Sequence, residues 1–372
     1  MNKSLHIVAF NVPIPADYGG VIDVFYKIKA LHKIGIDIHL HCFIYGRDEG
    51  AVLKQYCKTV SYYNRKNNYR NFLSKTPYIV KSRVSKSLLN NLKKDSFPVL
   101  FEGVHCTASY NQIAKNNPQR KLFIRAHNIE HLYYKELFQI ERKILKKVFF
   151  YFESKKLKVY ERKIFQNNPV FAISNSDFNF LNSLDAKVKL IHPFHLNQEV
   201  CPNLEIGDYA LFHGNLEVLD NELSGLFFVN IFKNLHYKLV IAGRNPSINL
   251  IETIKKYKNI ELVTNPNDQQ ILGLIKNAQI NVFYSNQSSG IKLKLINALF
   301  NGRLCYINKN FVVNDIFSSL CRVVNNDDEW ENEIDLAFES SLSKYDIELR
   351  QKKLASFKNN HNANLIAEAI FA

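Results

Sequence analysis

Lys292 and Lys294 follow the small-residue turn Ser288-Ser289-Gly290 within the stretch SSGIKLKLINALFNGR. Apolar runs bracket it, INVFYS before and RLCYIN after, which predicts strand, turn, helix, strand. Ser289 and Gly290 would leave backbone N–H groups open at a helix start, where the dipole favours an anion. Lysines in a first turn oppose that dipole, so the pair makes sense if a diphosphate docks in front of it. Two solvated surface lysines are the alternative.

Other chemistry-bearing residues recur at the ends of strand-like runs. After LHIVAFNV, the loop PIPADYGG places Gly19 and Gly20 at a helix start, where bare backbone can approach a ligand closely. Neither G-x-G-x-x-G nor the Walker pattern is present. FEGVHC ends in Glu102 and His105, and IRAHNIEH carries Arg125, His127, Asn128 and Glu130. A histidine at a strand's carboxyl end can donate a hydrogen bond or shuttle a proton near neutral pH; a purely structural histidine competes with that reading. His127 and His131 have a metal-type spacing, but no third ligand is evident, so no metal site is expected. In the second half, FHGN offers Gly214 and Asn215, and LVIAGRNP offers Gly243 and Arg244, the latter a phosphate or base contact unless it is simply exposed. Asp177 in ISNSDFNF reads as a helix-start residue, capped by Ser176 or Asn175.

The elements positioning these residues alternate as βαβα through all 372 residues. The strand-like runs are short and rich in β-branched and aromatic residues, as expected of parallel sheets covered on both faces. The length allows two domains, and the Pro-containing gap from His192 to Gly207 is the linker candidate. Hydrophobic content of 46% marks a globular chain. No run reaches the roughly 18 apolar residues of a membrane span. Six scattered cysteines read as buried thiols in a reducing cytosol. The net charge of +15 favours anionic partners without choosing among them. From Leu132 to Gln166 neither Pro nor Gly occurs. A continuous helix there would be about 50 Å long, with two helices joined near Phe152 as the other form. Its basic, aromatic character fits either an anionic membrane surface or a solvated face of a packed helix.

Taken in order, PIPADYGG, RAHNIEH, the basic helix ending in Glu161-Arg162, AISNSD, FHGNL, VIAGRNP and SGIKLKLINALFNGR resemble the GT-B glycosyltransferases. The retaining group called glycosyltransferase family four, in its bacterial surface-polysaccharide form, is the nearest in pattern. The resemblance implies an α/β fold of two Rossmann-like domains with parallel sheets facing across a cleft. Residues 1–195 would form the acceptor side and 205–355 the nucleotide-sugar side, with 356–372 a C-terminal helix returning to the first domain. It also implies that Gly19 and Gly20 line the donor diphosphate and acceptor side and that His127 faces the reacting sugar. Ser289 and Asn297 stand where the family carries paired glutamates, and Asn215 to Glu222 lacks the usual basic pair. Asn297 can still hydrogen-bond a ribose, and Lys292 and Lys294 could take over the diphosphate.

The expected activity is hexosyl transfer from a nucleotide-sugar to a glycan or lipid-linked glycan, in a cytoplasmic protein that also fits the inner membrane surface. It would be retaining and metal-independent, with no cofactor beyond the donor substrate. Gly214, Asn215, Arg244, Ser289, Gly290, Lys292, Lys294 and Asn297 are its donor-side candidates. His127 or Glu102 would be the base if the reaction inverts. A non-catalytic homologue acting as a binding or assembly subunit is the alternative, favoured by the missing carboxylates. A nucleic-acid-binding protein is not expected, because no such motif accompanies the charge.

Overall fold

The structure is a computed structural model that describes residues 3–286, 293–312 and 314–372. It divides into two compact units. The first comprises residues 3–196 and 356–372; the second comprises 197–286 and 293–355.

The first unit is built on seven parallel strands: β1 (Ser4–Ala9), β2 (Asp37–Ile44), β3 (Thr59–Asn64), β4 (Val99–Glu102), β5 (Leu122–Ala126), β6 (Pro169–Ala172) and β7 (Lys187–Leu190), in the order β3-β2-β1-β4-β5-β6-β7. Period-2 alternation splits each central strand between two cores. Val8, Phe101 and Ile124 join one core, and Ile7, Leu100 and Phe123 the other. The second core also takes Val24 and Ile28 of the helix Gly19–Lys33 and Ile366 and Ile370 of the terminal helix Asn359–Phe371.

The second unit has six parallel strands: β8 (Tyr209–Asn215), β9 (Lys238–Arg244), β10 (Ile260–Thr264), β11 (Ile280–Phe283), β12 (Leu304–Asn308) and β13 (Arg322–Val324), in the order β10-β9-β8-β11-β12-β13. The three-residue β13 is too short to register as a strand in the pattern. Trp330 fills the core of this unit with Phe228 and Phe232. The expected α/β class with two Rossmann-like domains is what the chain forms.

Two local expectations are corrected. The basic segment is two helices, Glu130–Ile140 and Ile144–Phe165, and the break falls at Glu141–Lys143 and not near Phe152. Glu141 turns extended (ψ 133), and its Oε1 accepts from the backbone N–H groups of Arg142 and Lys143 at 2.9 Å each. A side chain thus takes over from the helical ladder, with neither Pro nor Gly to announce it. The helix Asn175–Asn182 is capped by Ser174, which accepts from Asp177 N, and not by Ser176 or Asn175.

Candidate functional site

In the first sheet β1 lies between β2 and β4, so the connections leave it in opposite directions. Open α/β sheets bind ligands at the strand carboxyl ends beside such a switch point. A cavity of about 620 Å³ sits there, walled by Phe10, Tyr18, Arg83, His127, Glu130 and Tyr134 among others. Gly19 and Gly20 open the Gly19–Lys33 helix and line the same cavity. A Cβ on Gly20 would come 2.7 Å from the Phe10 ring, so the glycine is what lets that ring stand against the helix start. Phe10 in turn meets His127 edge-on, with ring centroids 5.4 Å apart.

Behind this wall lies a buried cluster of charges. Asp23 and Lys27 fall one turn apart on the inward face of the Gly19–Lys33 helix, both without solvent exposure. Lys27 Nζ donates to Asp23 Oδ2 at 2.9 Å and to Glu102 Oε2 at 2.8 Å. Arg125, from β5, grips Asp23 with Nη2 and Nε at 2.9 and 3.2 Å. Its remaining donors reach the carbonyls of Ile191 and His192. Burial pushes the Asp23 and Glu102 carboxyls up, but the facing cations outweigh it: Arg125 and Lys27 hold Asp23 well below the usual range, and Lys27 and His127 lower Glu102. Two carboxylates and two cations therefore neutralise one another.

His127 belongs to this cluster through both nitrogens. Nε2 lies 2.8 Å from Glu102 Oε2, while Nδ1 is buried without a hydrogen-bond partner, 3.8 Å from Asp23 Oδ2. The ring lines the cavity, yet its nitrogens face carboxylates. Glu102, expected as an alternative base, is fully buried beneath the wall and paired, so it orients His127 and cannot itself reach a ligand. Asp23, Glu102 and His127 converge closely enough to hold a metal. The Lys27 ammonium already bridges the two carboxylates, however, so a divalent ion does not fit the charge present.

Next to His127, Glu130 starts its helix inside the cavity wall. Burial, reinforced by the Glu161 carboxylate, raises its carboxyl to about 8. Asp177 is likewise raised by burial, to about 6. Glu161 is committed elsewhere: it accepts from the N–H groups of Glu130 and His131 and pairs with His131 Nδ1 at 2.6 Å. His131 is accordingly structural. His105, also on the wall, is held well below its ordinary value by burial and by Arg83.

In the second unit, Gly214 and Asn215 end β8 and Arg244 ends β9, in adjacent register. A Cβ on Gly243 would lie 2.1 Å from the Gly214 carbonyl oxygen, so this glycine keeps the two strand ends together. Lys294, in the first turn of the helix Leu293–Asn301, donates to Asn221 Oδ1 at 2.8 Å and lies over the Phe212 and Phe311 rings at 5.2 and 5.3 Å. Asn221 also donates to the Asn215 carbonyl at 2.9 Å, which draws Asn215, Asn221 and Lys294 into one constellation. Asn297 is otherwise engaged: its Oδ1 accepts from Asn301 Nδ2 at 3.0 Å. Asp220 pins the chain after β11 by accepting from Ser285 Oγ and Asn286 N at 2.7 and 2.9 Å. Ser289, Gly290 and Lys292 lie outside the described residues.

No family model matches the chain. A 44.6 kDa protein of the cps region of Klebsiella pneumoniae is 28% identical over 323 residues, 79% of this chain and 80% of that protein. Among solved structures, the lipopolysaccharide outer core galactosyltransferase WaaB in its apo form superposes with a TM-score of 0.67 at 13% identity, over 99% of each chain. Anabaena Alr3699/HepE, in complex with UDP and glucose, does so with 0.66 at 11% identity, again over 99% of each chain. The fold is GT-B. At these identities the likeness establishes architecture, and the chemistry has to come from the side chains.

Several of those side chains escaped the motif reading. Asp23 and Lys27 interrupt an otherwise apolar helical stripe at i and i+4, a signal of a buried pair. Arg65, Tyr78 and Arg83 come from loops and short helices between β3 and β4 with no periodicity to flag them. The raised acids carry a prediction. An acid whose folded pKa exceeds its unfolded value stabilises fully below the unfolded value and loses that contribution as pH rises through the folded one. Stability should fall from about pH 4 to about pH 8, the Asp177 contribution being lost by about pH 6 and that of Glu130 by about pH 8. Glu130→Gln should flatten the pH 6–8 part of the curve in thermal melts; a parallel curve would remove the assignment.

Proposed function

We propose that the chain is a glycosyltransferase that moves a hexose from a nucleotide-sugar to a glycan or lipid-linked glycan acceptor in surface-polysaccharide synthesis. The observation that carries this reading is the pairing of two strand-end sites on a GT-B fold. One is an aromatic-lined cavity of about 620 Å³, and the other gathers Lys294, Asn221, Asn215 and Arg244. The fold shared with a galactosyltransferase and the relative from a cps region support it.

In this reading Lys292, Lys294 and Arg244 neutralise the departing nucleotide diphosphate and the Gly290 N–H donates to it. Gly214 and Asn215 let it approach the end of β8. His127 and Glu130, the two ionisable candidates beside one another on the cavity wall, are poorly set up as bases. Both His127 nitrogens face carboxylates, and Glu130 is held protonated at neutral pH. That arrangement favours retention of configuration, in which the leaving phosphate takes the acceptor proton and neither a metal nor a protein base is required. A second reading, a non-catalytic binding subunit, is favoured by Asn297 being tied to Asn301 and by the three acids Glu217, Asp220 and Glu222 that follow β8 with no basic residue among them.

The break at Glu141–Lys143 leaves Ile144 and Leu145 at 76% and 88% exposure beside exposed Arg142, Lys143 and Lys146. No described helix is long and apolar enough to cross a membrane. An exposed apolar tip ringed by cations fits the interface of an anionic bilayer.

Two experiments test the proposal. Thermal-shift screening should find one nucleoside diphosphate that raises Tm by several degrees, with the shift abolished in Lys294→Gln. Glycan binding without any nucleotide response would leave the subunit reading in place. Co-sedimentation with phosphatidylglycerol vesicles should exceed that with neutral vesicles and fall at least fivefold in Leu145→Ser/Lys146→Gln. Equal sedimentation with both vesicle types would remove the membrane contact.

A further inference from the structure

The cavity of the first unit has a charge that its aromatic wall does not explain. Arg83 stands on that wall at 4% exposure. It donates through Nε to the Phe10 carbonyl at 3.1 Å and through Nη1 to the Ile79 carbonyl at 2.7 Å. Both partners are neutral. Among the described residues no carboxylate pairs with it, and its Nη2 makes no hydrogen bond to the protein. Arg65, on the same wall, donates through Nε to Ser82 Oγ at 3.0 Å. Its guanidinium lies over the Tyr45 and Tyr78 rings at 4.3 and 5.4 Å. It too has no carboxylate partner there.

The one carboxyl group on the wall, Glu130, does not supply the missing anion. No ion pair joins it to Arg83 or Arg65, and burial together with Glu161 raises its carboxyl to about 8 in spite of Arg83, which favours an O–H over a negative charge there. Burying a guanidinium without a counter-charge is costly, and the other buried cations of this unit, Lys27, Arg120 and Arg125, are each paired directly with a carboxylate. Two guanidinium groups held by neutral partners at the edge of an open cavity are what an incoming oxyanion would complete. The rings of Phe10, Tyr133 and Tyr134 line the same cavity and offer apolar surface to a sugar ring, while Tyr45 and Tyr78 seat Arg65.

We propose that this cavity binds an acidic sugar, with Arg83 and Arg65 pairing the oxyanion of its carboxylate or phosphate while the aromatic wall holds the ring. This deepens the acceptor half of the proposed function and rests on that reading only for the claim that the bound sugar is the acceptor. Neither arginine was among the residues singled out by motif, because each sits in a connection whose neighbours give no periodic signal.

Binding to the whole chain would be followed by saturation-transfer NMR and calorimetry with four probes: methyl β-D-glucuronide, glucose 6-phosphate, methyl β-D-glucoside and inorganic phosphate. At least one of the two acidic sugars should bind ten times more tightly than the neutral glucoside and than phosphate alone. Preference for the glucuronide identifies a uronic-acid glycan, and preference for the sugar phosphate identifies a phosphorylated one. Arg65→Gln, a half-buried position whose loss should leave the melting temperature near that of the parent, should erase most of the preference. Arg83→Lys should retain more of it than Arg83→Gln. Equal binding of acidic and neutral sugars, binding of none, phosphate binding as well as the sugars, or a preference untouched by Arg65→Gln would each overturn the proposal. The nucleotide response of the second unit is read separately, so a failed donor site and a failed acidic-sugar site are told apart.

Discussion

The first unit depends on one buried constraint: Asp23, Lys27, Glu102 and Arg125 must all be present for any of them to be tolerated. Each is inaccessible to water, and the isolated desolvation of any one ion would exceed what a small domain can offset. Together they tie the Gly19–Lys33 helix to β4, to β5 and, through Arg125 and the Phe194 N–H at 2.8 Å from Asp23, to the chain leaving β7. Removing one partner of such a pair typically costs about 3–5 kcal/mol, because the other is left charged and dry. That helix and the carboxyl ends of β4 and β5 are thereby held in fixed relation beside the cavity. His127 inherits its orientation from this cluster and contributes the same surface to the cavity whatever ligand arrives.

That constraint also explains the division of labour among the ionisable groups. Paired carboxylates stay charged and structural, whereas Glu130 and Asp177, buried near Glu161 with no Lys or Arg among the described residues ion-paired to them, are pushed towards their neutral forms, Arg83 offsetting only part of the burial at Glu130. Acids of identical chemistry therefore end in opposite states within one sheet edge, decided by whether a cation faces them. The cavity keeps Arg65 and Arg83 as its uncompensated charges. In the second unit Glu217, Asp220 and Glu222 follow β8 along the chain, each accepting from polar neighbours, while Lys294 reaches Asn221 from the helix Leu293–Asn301. The Asp220 contacts to Ser285 and Asn286 show that part of this acidity is structural.

The sheets were legible because buried parallel strands leave continuous apolar runs, and the residues ending those runs fall at strand carboxyl ends. That is why His127, Glu102, Gly19, Gly214 and Arg244 could be singled out with no knowledge of which strands pair. What escaped was anything decided across elements. Glu102 looked like a base by residue type, but its partner Lys27 comes from a helix 75 residues earlier in the chain. The break at Glu141 is made by a side chain accepting from two backbone N–H groups, which leaves no Pro or Gly to read. Arg83 was invisible for the complementary reason: its significance is the carboxylate it lacks, and a sequence does not display a missing partner.

The central claim is that the buried charge cluster fixes His127 with Nε2 directed at Glu102, so that the ring serves as a cavity wall. Nitrogen-15 NMR of the imidazole rings, with His127 assigned through His127→Gln, tests it directly. The account predicts one fixed state for this ring, with Nε2 carrying the proton towards Glu102 in the absence of ligand at neutral pH. An averaged mixture of tautomers, or an Nδ1-protonated ring with Nε2 free, would contradict it.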